Sequence, residues 1–288
     1  MPRTEPVEVT PRLLRDWTLP EPGSSKYSRG RVLVLGGAGR TPGAVQLAGL
    51  AALRVGAGHL TLAVGEPAAV PLAVVTPEAG VTGLPVDAAG SVLAEGIERL
   101  GDDLDRADAV VLGPGLDNPD LTAEVVGAVL GRVGADTSLV LDAFALGALS
   151  GLALPAGLAG RTVLTPNDGE AERLLGRPLG DDEVADVSEI ASRYGATVAC
   201  RDLVVAADGT VWRIGVGHSG LATSGSGDVV AGALGGLLAR GADPAQAACW
   251  SKYLHASAGE RLAARIGRLG FLAREIVDEL PVVLSELS

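Results

Sequence analysis

The chain has 288 residues, 47% of them hydrophobic and only 3% aromatic, with 41 glycines and a formal net charge of −12. That length holds one large α/β domain whose core must be built from Ala, Val and Leu, and the acidity excludes nucleic acid as a partner, because backbone-phosphate binding rests on clustered Lys and Arg. Two lysines, Lys26 and Lys252, stand against 21 arginines, and neither lies in a GxxxxGK arrangement, which excludes a Walker-type phosphate loop.

Residues 1–30 read as a Pro- and charge-rich lead-in arm on the outside of a single domain spanning 1–288. RVLVLGG, from Arg31 to Gly37, is a continuous apolar run bounded by glycine, the mark of a strand buried on both faces. Pro42 then opens a helix that Gly56 and Gly58 close, following the usual asymmetry of Pro at the start and Gly at the end. His59 to Val64 is the next strand, and the Pro-rich stretch from Glu66 to Pro85 carries no assignable pattern. Helical SVLAEGIERL leads to a strand at Asp108 to Gly115, helical LTAEVVGAVLGRV to a strand at Ser138 to Leu146, and a strand at Thr162 to Thr165 meets TPNDGE and a further helix. After a helix at Val184 to Tyr194, the segments ATVAC, DLVVAAD and TVWRIG read as short strands, the last two joined through Asp208-Gly209 as a hairpin. Two amphipathic helices form the tail.

This alternation implies a mostly parallel sheet with crossover helices. Ligands of such sheets bind beyond the carboxyl ends of the strands, and the unusual loops GGAGRTPGA, GPGLD, LDAFAL, TPNDGE and SGSGD all fall on that edge. Cys200 and Cys249 lie apart, with no CxxC or Cys/His spacing to suggest a disulfide framework or zinc, so a reducing cytoplasm is expected. No basic and apolar signal pattern opens the chain, and its apolar stretches are interrupted before membrane-spanning length, so no membrane partner is expected.

The stretch from Thr223 to Gly241, TSGSGDVVAGALGGLLARG, holds the chemistry. A helix N-terminus presents free N–H groups and partial positive charge, so Gly225, Ser226 and Gly227 can form an anion hole with Asp228 beside it. The plainer reading is a Gly/Ser turn that starts a helix with Asp in its favoured first turn. Ala231, Gly232, Gly235 and Gly236 lower helix propensity, which suits very close packing on the sheet or another helix.

Taken together, SKYSRGRVLVLGG, PGA, LAALRVGAGHLTLAV, GPGLD, LDAFAL, TPNDGE, SGSGDVVAG, YLHASAG and GFLAREI resemble the ribokinase-like superfamily, and within it the ADP- or ATP-dependent NAD(P)H-hydrate dehydratases. The resemblance implies a ribokinase-like α/β fold, a doubly wound, mostly parallel central sheet with helices on both faces, and a homo-oligomer. It implies repair of hydrated NADH or NADPH by transient phosphorylation of the added hydroxyl, with ADP or ATP and Mg2+. By resemblance Asp228 is the general base that also touches substrate, because an alcohol must lose its proton to attack phosphorus. Ala44, Gly113, Gly115 and Asn167 match substrate-binding positions, Gly227 and Arg201 nucleotide-binding ones, and Asp142 and Glu170 a magnesium reached through water. Structural readings stand beside these: a helix start for Ala44, strand-ending turns for Gly113 and Gly115, a helix cap for Asn167, a first-turn acid for Glu170 and a turn cap for Asp142. His255 is expected to serve structure or the substrate edge, while His59 and His218 have no constellation around them.

Several positions depart from the family pattern. Ala38 and Thr41 replace a Ser and an aromatic, Phe144 replaces a second acid, and Asn167 replaces a His, which brings TPNDGE close to the TPNxxE of vitamin kinases. A KGAxT-like nucleotide segment becomes ACRDL, with Ala199 at the lysine, Leu203 at the threonine and Arg201 as the substitute charge. Two alternatives therefore stand beside the dehydratase: a kinase of a vitamin or sugar alcohol, and a non-catalytic nucleotide-binding member of the family.

Overall fold

The computed structural model describes residues 5–21 and 23–287. Ten strands form one sheet: β1 (Val7–Val9), β2 (Arg31–Leu35), β3 (His59–Gly65), β4 (Ala79–Leu84), β5 (Ala109–Leu112), β6 (Ser138–Leu141), β7 (Thr162–Leu164), β8 (Thr197–Cys200), β9 (Leu203–Val205) and β10 (Val211–Ile214). Their order is β1-β10-β9-β8-β7-β6-β5-β2-β3-β4, and β9 alone runs antiparallel to its neighbours. The helices are α1 (Pro11–Asp16), α2 (Pro42–Arg54), α3 (Glu66–Val75), α4 (Gly101–Arg106), α5 (Pro119–Leu130), α6 (Phe144–Ala148), α7 (Asp168–Leu175), α8 (Glu183–Tyr194), α9 (Ser226–Ala239), α10 (Pro244–Arg265) and α11 (Ala273–Leu287).

The central strands are apolar at every position because both of their faces are covered. Val32 and Val34 of β2 join Ala109 and Val111 of β5 in one core layer, beneath α2, α9, α10 and α11. Leu33 and Leu35 join Val110 and Leu112 in the other, against α5, α7 and α8. Pro42, Pro119 and Pro244 each open a helix at its first position, where the missing N–H costs nothing.

Four stretches differ from the sequence reading. Residues 66–85 form α3 and β4, with Pro71 inside the helix, which hid the pattern. SVLAEGIERL yields a 3-10 helix at Ala94–Leu100 that runs into α4. The strand through SLVLDAFAL stops at Leu141, and the chain turns into the short α6. The lead-in arm is more than a covering: β1 pairs with β10 at the sheet edge, and Trp17 stacks on Trp212 with ring centroids 5.6 Å apart. Trp250 Nε1 and Gln246 Nε2 donate to the Trp17 carbonyl, both at 3.1 Å, and so fix the arm to α10.

Helix α9 lies on β2, β5 and β6 and beneath α2. A methyl group at Gly232 would overlap the carbonyl of Ala48, one at Gly235 would enter the side chain of Val111, and one at Gly236 would come within 2.5 Å of the Ala52 carbonyl. The glycines thus let α9 fit between a helix and the sheet with almost no side-chain spacer. Gly232→Ala is expected to lower stability by roughly 1–3 kcal/mol through overpacking, whereas Gly127→Ala, on an exposed face of α5 with open space around it, should raise it by roughly 0.5–1 kcal/mol. Chemical denaturation of the two variants checks the contrast.

Candidate active site

Strand β2 pairs with β3 on one side and β5 on the other, so successive strands progress in opposite directions from this point, which opens a crevice at the carboxyl ends. The two loops flanking it are tied together. Gly37 N donates to the Pro114 carbonyl and Ala38 N to the Gly115 carbonyl, each at 2.8 Å, while Thr41 Oγ1 donates to Gly115 O at 2.7 Å. Gly115 (φ +73°) and Gly113 (φ +128°) take backbone conformations that other residues rarely adopt. A Cβ at Gly115 would lie 3.0 Å from that of Ala44 in the first turn of α2, and one at Gly113 would strike the carbonyl of Asp142. Ala44 and Gly115 are thus brought against each other as small groups, while Gly113, buried with its amide on the Leu35 carbonyl, packs against the turn after β6.

Further along the same edge, Asp142 follows β6 and is 7% exposed. Its Oδ1 accepts from Thr165 Oγ1 at 2.7 Å. Burial pushes its carboxyl up to about 7, against the pull of Thr165, and the charges of Asp228 and Glu170 push the same way. The next residue, Ala143, holds φ +50°, a strained turn for an alanine that lets the chain leave the strand just after Asp142. Asp228, half-buried in the first turn of α9, is pushed up by burial to about 6. Two carboxylates with raised values thus share one cleft.

Helix α9 begins behind Gly225, at φ +87°, where a Cβ would come within 2.6 Å of Leu47 Cδ1. No side chain caps it, and its own ladder starts with Val229 N donating to Gly225 O at 3.3 Å. Of the three residues expected to form the anion hole, Ser226 has its amide on the Thr223 carbonyl at 3.1 Å and its hydroxyl 2.7 Å from His255 Nε2. Gly227, exposed and with open space around it, and Asp228 precede the ladder, so their amides, like that of Gly225, have no partner within it.

The cleft extends from here over β7 and β8 as a cavity of about 730 Å³, lined by Asp142, Asn167, Ala199, Arg201, Gly227, Lys252 and His255 among others. His255, buried on α10, is held neutral by desolvation and by the charge of Lys252, which together depress its value to about 3. It orients Ser226 and is not positioned to shuttle protons at neutral pH. His218 links its own loop, through Gly220 N, to the Gly259 carbonyl of α10, and His59 lies against Tyr27.

A family model described as NAD(P)H-hydrate dehydratase matches residues 32–282. The chain belongs to this family. It is 43% identical to the ADP-dependent (S)-NAD(P)H-hydrate dehydratase of Xanthomonas campestris pv. campestris, across 97% of this chain and 96% of that one. A bifunctional NAD(P)H-hydrate repair enzyme of Moorella thermoacetica is 35% identical across 93% of this chain, which spans only 51% of that enzyme's length. The crystal structure of the ADP/ATP-dependent NAD(P)H-hydrate dehydratase of Bacillus subtilis, co-crystallised with ATP and Mg2+, superposes with a TM-score of 0.84 at 28% identity, covering 99% of this chain and all of that one. The fold is ribokinase-like, as expected from the order of the loops.

Against that family pattern, TPNDGE has a structural explanation. Asn167 Oδ1 accepts from Glu170 N at 3.0 Å and Glu170 Oε2 accepts from Asn167 N at 2.9 Å, a reciprocal cap on α7. The Asn that made this stretch look like a vitamin kinase is accounted for by the cap. Phe144 stands 42% exposed at the start of α6. Ala199 and Leu203 are buried in β8 and β9, and Arg201, at φ +51° in the two-residue turn between them, is engaged by neighbouring acids. Its Nε and Nη2 donate to both oxygens of Asp168, at 2.6 and 2.8 Å, and its Nη1 pairs with Glu183.

Two residues of the cleft escaped the sequence reading as site residues, Thr165 and Lys252. The first is an ordinary residue after a strand. The second stands three positions before His255, a spacing that puts both on one helix face.

Among the described residues no group of three or more His, Cys, Asp or Glu side chains is arranged to cage a metal ion. The carboxylates of Asp142 and Glu170, close enough to sense each other's charge, are hard oxygen donors that fit Mg2+, an ion that keeps several waters and takes phosphate oxygens. Because the folded carboxyl of Asp142 titrates near 7 and the unfolded one near 3.8, its ionisation favours unfolding. The penalty is absent below pH 4, grows between 4 and 7, and is constant above. In chelator-treated buffer, Asp142→Asn is expected to be more stable than the parent at pH 8 by roughly 2–4 kcal/mol, with the difference shrinking towards pH 4, as read by denaturant titration at several pH values.

Proposed function

We propose that this protein restores hydrated NADH or NADPH to the reduced dinucleotide at the expense of ADP or ATP. The dinucleotide's hydrated ring lies against Ala44, Gly113 and Gly115, and Asn167 borders it. Asp228 accepts the proton of the added hydroxyl, whose oxygen attacks the terminal phosphorus of the nucleotide. The phosphoryl group moves to that oxygen, and AMP leaves from ADP, or ADP from ATP. Departure of phosphate with its bonding pair, and loss of a proton from the neighbouring carbon, restores the ring double bond. The amides of Gly227 and Asp228 hold charge on the moving phosphoryl oxygens, with His255 fixing Ser226 between them and α10. Mg2+, when bound beside Asp142 and Glu170, neutralises phosphate charge.

The observation that carries this reading is the half-buried carboxylate of Asp228, raised to about 6 and standing in the open first turn of α9. A base of that value is ionised at neutral pH and still strong enough to take a proton in the transition state. The family and its relatives supply the substrate class. One ribokinase-like domain spanning 1–288 contains the reaction, and a homo-oligomer is supported by the exposed Val70, Val74 and Val75 on α3. The cytoplasm is the proposed location: no helix among the described residues is long and apolar enough to cross a membrane, and the two buried cysteines are free.

With Mg2+ and ADP, the protein is expected to convert hydrated NADH to NADH, releasing one AMP and one phosphate per nicotinamide chromophore recovered. Absence of recovery with both ADP and ATP would sink the proposal. Asp228→Asn should lower kcat by roughly 10²–10⁴. In the parent, kcat should fall about tenfold per pH unit below about 6, as Asp228 takes up its proton, a limb that a pH series from 5 to 8 reveals.

A further inference from the structure

Lys252 projects from α10, which lies over β7 to β10, into the cleft beside Ala199 and one turn from His255. It is half-buried. Among the described residues no carboxylate or other acceptor lies within bonding distance of its Nζ. The acids that might have served are taken: Asp168 and Glu183 by Arg201, and Asp202 by Arg213. His255 beside it is neutral. Burial holds the ammonium below the usual lysine value, only partly offset by the nearby charge of Asp202, itself engaged by Arg213, so the folded chain bears the cost of a cation without a direct ion pair. A chain that uses arginine almost everywhere has placed here one of its two lysines, a compact charge on a slender stem where the small Ala199 leaves room and a guanidinium fork would not be matched.

We infer that Lys252 is the phosphate-binding cation of the nucleotide half of the cleft, contacting the phosphate chain of ADP or ATP in the place the sequence reading gave to Arg201. Three features converge on one anion: the unpartnered ammonium, the open amides of Gly227 and Asp228, and the Ser226 hydroxyl held by His255. Arg201 instead closes the turn between β8 and β9 onto α7 and α8. The inference rests on the proposed use of an adenine nucleotide, though not on what the phosphoryl group is transferred to.

The test exploits the chain having only two lysines. The intact protein is treated briefly with a limiting amount of acetic anhydride, with and without saturating ADP and Mg2+, and acetylation at Lys252 and Lys26 is quantified by peptide mass spectrometry. Nucleotide is expected to slow acetylation of Lys252 at least about tenfold while leaving Lys26 unchanged. Equal acetylation of Lys252 in both conditions overturns the inference. Kinetics then separate contact from mere support: Lys252→Met should raise the KM for ADP by roughly ten- to a hundredfold, as loss of a charged hydrogen bond implies, and leave the KM for hydrated NADH within about twofold, with Lys252→Arg in between. Freed of an unpaired buried charge, Lys252→Met should also melt above the parent without nucleotide and gain less from ADP. A melting point below the parent's with an unchanged ADP shift, or equal rises in both KM values, would show a structural lysine only. Protection of Lys252 without recovery of NADH would keep the nucleotide site and sink the dehydratase reading.

Discussion

The site depends on how closely α9 can approach the sheet. An α-helix bearing ordinary side chains stands well off its neighbours, and its N-terminus would then miss the line of strand ends. Here Gly232 and Gly236 meet the backbone of α2 while Gly235 meets Val111 of β5, so α9 lies in a slot between helix and sheet. Its first turn is thereby set beside the carboxyl ends of β5 and β6, with Asp228 near enough to Asp142 for their charges to interact. The low helix propensity of the glycines is the local penalty for that position, offset by burial of nearly the whole helix.

A second tension runs through the electrostatics. Burial disfavours the ionised forms of Asp142 and Asp228 and disfavours the ammonium of Lys252. An interior designed for stability alone would remove all three. Elsewhere many charged groups are paired, as with Arg177 on Asp186 and Glu189, or Arg261 and Arg265 on Glu279, although among the described residues the half-buried guanidinium of Arg240 meets only the carbonyls of Val55 and Pro20. These three groups gather at one edge of the sheet, where polyphosphate, metal and substrate hydroxyl would bring further partners. Such concentration of unfavourable groups is what a site poised for charge transfer requires.

Much of the frame is legible in the sequence. Strands such as Arg31 to Leu35 are apolar at successive positions because both faces are covered, and Pro42 and Gly56 mark their helix through backbone constraints that act locally. Residues 66–85 resisted, since Pro71 sits inside a helix whose exposed Val70, Val74 and Val75 blur its amphipathic pattern. The strand ending at Leu141 was overrun because DAFAL is apolar enough to continue it, and only the turn at Ala143 stops it. In the site, Asp228 announces itself by its glycine setting. Glu170 and Asn167 show their capping spacing but not their distance from Asp142. Thr165 and Lys252 carry no local signal, because what matters about them is the absence or presence of partners from distant segments.

On the proposed assignment of Lys252, a phosphate site would persist although its sequence motif has changed. Phosphate responds to positive charge and to N–H groups at a position in space, and the chain segment that delivers them is secondary. In this fold β8 and α10 border the same volume from below and above, so an ammonium can reach it from the strand or from the helix facing it. With Ala199 on β8, the strand side offers only a methyl group and frees the room into which the Lys252 side chain extends. Arg201 ties a turn of positive φ to α7 and α8 through Asp168 and Glu183 and so steadies the rim of the cleft. On the proposed assignment of Lys252, transfer of the charge from sheet to helix would leave the anion-binding volume in place while erasing the motif by which a sequence would reveal it.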